Sequence, residues 1–98
     1  MAMFRRRTDL AKLHDRLRKA RGEAQVAAEQ ALALREEADD LRVRALASDR
    51  PDDRAAAIEA ERHAAAAESA RDRAQAEAAR LLGEIDAELD RRSAGPPG

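Results

Sequence analysis

Two histidines, His14 and His63, have the widest chemical reach in this chain, since imidazole binds metals and carries protons near neutral pH. Neither has the neighbours such chemistry needs. The helical di-iron motif places a glutamate three residues before a histidine, and His63 has Ala60 there. No His-Glu-x-x-His run occurs. Glu59 stands four residues before His63, which suits a helix-surface pair. The hydroxyls are Thr8, Ser48, Ser69 and Ser93, none at a helical spacing from histidine that would make it a nucleophile. The carboxylate pairs Asp39-Asp40 and Asp52-Asp53 would need a concave, partly dry setting for acid–base work. Gly22 and Gly83 are isolated and make no phosphate loop; a close backbone approach or a flexible end is the expectation for them. Cysteine is absent, which removes thiolate ligands, cysteine nucleophiles and disulfides. The expectation is a protein with no catalytic, metal-binding or cofactor-binding residue and no small-molecule substrate.

Charge is the chemistry that remains. Residues 1–21 hold eight basic groups, Arg5, Arg6, Arg7, Lys12, Arg16, Arg18, Lys19 and Arg21, against Asp9 and Asp15. Such a basic arm can bind nucleic-acid phosphates with salt-dependent, sequence-independent affinity, although no aromatic residues are interleaved for stacking. With Met1, Met3 and Phe4 it can also form a foot on an anionic membrane surface. A third reading is a solvated leader. Further on, Glu36-Glu37-Ala38-Asp39-Asp40 is acidic but flanked by Arg35, Arg42 and Arg44, which reads as a solvated helix face.

The elements carrying these residues are helices. The chain has 98 residues, among them 26 alanines and 10 leucines but a single aromatic, Phe4. A buried alanine methyl contributes only about 0.8 kcal/mol, so a conventional globular core is out of reach. Alanine, leucine, arginine and glutamate are strong helix formers, and charges of alternating sign suit long helix faces better than disorder. Leu10, Leu13, Leu17, Ala20, Ala24, Ala27, Ala31, Leu34, Ala38, Leu41 and Ala45 repeat at alternating spacings of 3 and 4, the a/d rhythm of a coiled coil. The second half is looser. Ala57, Ala60, Ala64 and Ala67 keep the rhythm, a slip is expected at Ala70 or Arg71, and Ala74, Ala78, Leu82 (or Leu81), Ile85 and Leu89 resume it.

Pro51 divides the halves. Proline is tolerated at the first helical position and pushes the residue before it out of helical conformation. Asp52 and Asp53 then sit in a first turn, where carboxylates favour the helix dipole. The spacing predicts an all-α antiparallel coiled-coil hairpin: helix 1 over about 8–47, a turn at 48–50, helix 2 over about 51–92, and a disordered tail at 93–98. Folding back sets Arg16, Arg18, Lys19 and Arg21 beside Glu84, Asp86, Glu88 and Asp90, so cross-helix ion pairing is expected there. The two histidines end about 36 Å apart along the axis.

No apolar run reaches the about 20 residues of a membrane span, and Thr8-Asp9 follows the arginines where a secretory signal would be apolar. A cytoplasmic protein is expected, and seventeen arginines against two lysines suggest a GC-rich bacterial source. The function expected is a non-enzymatic structural or adaptor protein. Its packing stripe is Leu10, Leu13, Leu17, Leu34, Leu41, Leu82, Ile85 and Leu89, with Val26, Leu32, Val43 and Leu46 as a second face. Its partner is expected to be a second copy, as a dimer, or a helical protein; nucleic acid and a membrane surface are the alternatives.

Overall fold

The computed structural model of the chain describes the backbone of residues 2–94 and the side chains of residues 9–94. Two helices, α1 (Ala2–Ala47) and α2 (Pro51–Ser93), pack against each other along their length as an antiparallel hairpin measuring 77 × 18 × 13 Å. The first helix begins before residue 8. Residues 2–7 include no glycine or proline, and alanine, methionine and arginine extend a helix readily. Ser93 is the last helical residue rather than the first of a tail, and the Ala94 N–H donates to the Asp90 carbonyl at 2.9 Å. Residues 95–98, expected as disordered tail, lie outside the described residues.

The reversal occupies Ser48, Asp49 and Arg50. Arg50 is extended (φ −83°, ψ 125°), as a residue before proline must be, and offers no side-chain cap to α2. Ser48 ties the turn instead. Its hydroxyl accepts from the Arg50 N–H at 3.1 Å and donates to Asp53 Oδ2 at 2.5 Å, so an Asp in the first turn of α2 is held by the first residue of the reversal.

All eleven residues of the α1 stripe are buried or half-buried, Leu10, Leu13, Leu17, Leu34 and Leu41 among them. On α2 the inward residues are Asp53, Ala57, Ala60, Ala64, Ala67, Arg71, Ala74, Ala78, Leu81, Ile85, Glu88 and Arg92. Their spacing alternates between 4 and 3 without a break, so the phase slip expected near residue 70 does not occur. Two of the stripe residues expected on α2 are corrected. Leu81 lies in the seam at 2 % exposure while Leu82 is 40 % exposed, and Glu88 takes the place expected of Leu89, which is 44 % exposed. Arg71, Glu88 and Arg92 enter the seam through their apolar stems, Arg92 with its Nη2 buried. A search for apolar side chains alone therefore drifts to the neighbouring leucines.

The core is uneven. Leu17, Ala20, Leu81 and Ile85 form a buried cluster near the open end, with Leu10, Leu13 and Ala78 packed against it. Towards the turn the fully buried residues are Ala31, Ala38 and Ala64, methyl groups only, which lets the two backbones close up. Gly22 and Gly83 play no part in that approach. A Cβ built on either meets nothing within 4 Å, so the close approach expected of them is absent.

Candidate protein-docking face

The alanine stretch towards the turn is nearly the same at every heptad, and there a charged clamp adds to the register that the short turn and the aliphatic cluster impose. Arg35, on α1, reaches across to α2 and binds two glutamates. Its Nε and Nη2 donate to Glu68 Oε2 and Oε1 at 3.1 and 2.7 Å, a bidentate fork, and Nη1 donates to Glu61 Oε2 at 2.6 Å. Asp39 lies 3.9 Å away on the same helix. Among the described residues this is the one ion-pair network that joins α1 to α2. Arg35, Glu61 and Glu68 are all e positions, and antiparallel coils set e opposite e. Slipping α2 by one heptad would give Arg35 either Gln75 or Arg54 in place of a glutamate. The clamp thus favours the observed register, which the alanines by themselves leave open.

The Arg35 hydrogen bonds hold the Glu68 carboxyl below the ordinary glutamate range, and Arg35 itself is raised in return. A carboxylate with a depressed folded-state pKa contributes stability that is present above its unfolded value and lost as pH falls through the folded one. The melting temperature should therefore hold from neutral pH down to about 5 and fall on further acidification. Glu68→Gln should melt lower than the unchanged protein at pH 7, with the gap narrowing as acidification protonates Glu68. A gap that stays constant on acidification, followed by circular dichroism, would take the clamp out of the stability account.

The expected pairing of the two chain ends is different in the structure. Glu84 binds Arg80, and Glu88 binds Arg91 and Arg92, each within α2. Arg18 lies 3.9 Å from Asp15 on its own helix. The hydrogen bond from Arg80 is the main cause holding Glu77 low, and the charge of Arg16 across the hairpin adds to it. Partners three or four residues away on one helix are always within reach, whereas a cross-helix partner needs matching e or g positions. The side chains of Arg5, Arg6 and Arg7 lie outside the described residues. Lys12, Arg16, Arg18, Lys19 and Arg21 are all exposed but spread around α1, at c, g, b, c and e positions, so those five do not form a single basic stripe. Glu59 and His63 do pair, at 3.1 Å. Among the described residues no group of three His, Asp or Glu side chains converges as metal ligands would.

Apolar side chains left outside mark the more informative surface. Among the described residues seven large aliphatics are exposed: Val26, Leu32, Val43, Leu46, Ile58, Leu82 and Leu89. Five of them fall on the side of the hairpin that carries Arg35. Leu32 and Ile58 sit three residues before Arg35 and Glu61, and Leu46 sits four after Arg42. Leu82 and Leu89 stand two and three heptads beyond Glu68 in the same e row. Next to the clamp, Arg35, Arg42, Glu61 and Arg62 rim an open groove of about 410 Å³ whose floor is Ala38, Ala57 and Ile58. The second face expected from α1 alone thus divides. Leu32 and Leu46 join α2 residues on the Arg35 side, Val43 points away from the partner helix at an f position, and Val26 lies on the opposite side. The signal for this face was in the sequence, since leucines at e positions are legible once the α2 register is known.

No helix among the described residues is long and apolar enough to cross a membrane. No protein-family model matches the chain, and neither a curated protein nor a solved structure is found to be similar to it.

Proposed function

We propose that this chain is a cytoplasmic, non-enzymatic assembly module, a stiff helical hairpin that docks other helices on its Arg35 side. The observation that carries this reading is the gathering of Leu32, Leu46, Ile58, Leu82 and Leu89 on that one side. Scattered exposed leucines are ordinary, but a row of them on one face, rimmed by charge, is what helix recognition uses. The same side supplies charge to orient a partner, through Arg42, Arg54 and Arg62 near the turn and Asp86 with Arg18 and Arg21 near the open end. The opposite side has Val26 and alanines among its charges and offers a helix little to grip.

Paired substitutions test the surface. Ile58→Asp with Leu82→Asp changes only exposed residues, so helicity should be kept. Sedimentation equilibrium up to about 1 mM should find the unchanged protein heavier than the 10.7 kDa of one chain and the double variant at that mass. A one-chain mass for the unchanged protein throughout, or the same mass for both proteins, would overturn the reading.

A further inference from the structure

We propose that the occupant of the Arg35 side is a second copy of this chain, laid antiparallel across it about a two-fold axis close to Ala28, making a four-helix bundle. This rests on the assembly reading above and adds the partner and its orientation.

The spacing of the exposed aliphatics carries it. The buried cluster puts Leu17 level with residues 81–85, so Leu82 is level with Leu17, and Leu89, one heptad on, with Leu10. At the other end Ile58 shares a groove with Ala38 and Arg42 and is level with Leu41. Measured from Ala28, Leu46 lies 18 residues towards the turn and Leu10 lies 18 residues towards the open end. Leu41 and Leu17, the levels of Ile58 and Leu82, lie 13 and 11 residues away in the two directions. At 1.5 Å per residue these mismatches are within about 3 Å. A two-fold axis there sets Ile58 of one copy on Leu82 of the next and brings Leu46 into the layer of Leu89. Ala28, small and half-buried, lies where the two α1 helices cross the axis.

Two charge pairs favour the antiparallel choice, against one like-charge facing of Arg35 with Arg21 of the second copy in which Arg35 is already neutralised by Glu61 and Glu68. In this arrangement each helix lies against its own copy, running the other way. Arg54 then comes opposite Asp86 of the second copy, and Asp39 opposite Arg18. The parallel alternative would stack Arg42, Arg54 and Arg62 at one end against their own images. About an axis at Ala28 the two copies overlap over about 60 Å of the 77 Å length, and at 18 Å wide the footprint is on the order of 1,000 Å² per copy, comparable to the roughly 800 Å² that stable pairs bury on each partner.

Because the chain has no cysteine, single thiols can report the orientation. Ile58→Cys and Leu82→Cys proteins are mixed, allowed to exchange, oxidised and separated by mass under non-reducing conditions. The expected product is the mixed 58–82 disulfide, several-fold above either like-with-like disulfide. Dominant 58–58 and 82–82 products would overturn the antiparallel arrangement. No disulfide at a two-chain mass would overturn this face as the contact between copies while leaving self-assembly standing. A one-chain mass with no disulfide would instead be the failure of the assembly reading itself.

Discussion

Replacing Ile85 with aspartate is expected to unfold the hairpin, removing most of its helical circular dichroism at room temperature. Ile85 is 3 % exposed and packs in the cluster with Leu17, Ala20 and Leu81, where nearly all of the large buried aliphatic surface is gathered. Truncating a buried isoleucine costs about 2–5 kcal/mol, and an unpaired carboxylate in its place adds to that. The rest of the seam is alanine, whose methyl groups leave little reserve. The matched control is Leu82→Asp, three residues away on the same helix, which is expected to leave helicity unchanged because that side chain is 40 % exposed and outside the seam of the hairpin itself. Like behaviour of the two variants would mean that the seam has been assigned to the wrong residues.

Enlarging a seam alanine is expected to destabilise the fold even though it adds apolar surface. Ala64 is fully buried at 0 % exposure, on the stretch of the seam where Ala31 and Ala38 are buried from α1. Leucine there has no space and must push the helices apart, at about 1–3 kcal/mol. Separation also lengthens the Arg35 bonds to Glu61 and Glu68, which span the same stretch. For a domain of this size the melting temperature of Ala64→Leu should fall by about 4–8 °C for each kcal/mol lost. Ala66→Leu, on the exposed side, should melt within a degree or two of the unchanged protein. A rise in melting temperature for Ala64→Leu would mean that the seam holds space rather than close contact.

The two outcomes separate two kinds of contact along one seam. Near the open end, large aliphatic side chains supply most of the apolar burial. Towards the turn, alanines contribute little each but allow a close approach, and the Arg35 clamp adds to the register. Assembly through the Arg35 side would add to both ends of this uneven core, since Leu82 and Leu89 flank the aliphatic cluster and Ile58 and Leu46 flank the alanine stretch.

What the sequence determined by itself is local and periodic. The helical character of both halves, the inward stripe of α1 and the break at Pro51 follow from residue propensities and the 3/4 repeat, which need no knowledge of what lies across the seam. The α2 stripe was harder to read because four of its inward positions are Asp53, Arg71, Glu88 and Arg92, and nothing in a charged residue's type says that it will be covered. Only the second helix, laid alongside, showed that Leu81 faces in and Leu82 faces out. Tertiary structure likewise decided the Arg35 pairing with residues 26 and 33 positions away, the absence among the described residues of cross-helix pairs from Glu84 and Glu88, and the open space around Gly22 and Gly83. It also decided that leucines from two different helices share one face. The physical reason is the same throughout: helix propensity and periodicity act over three or four residues, whereas burial and ion-pair choice depend on register between segments that the chain order keeps apart.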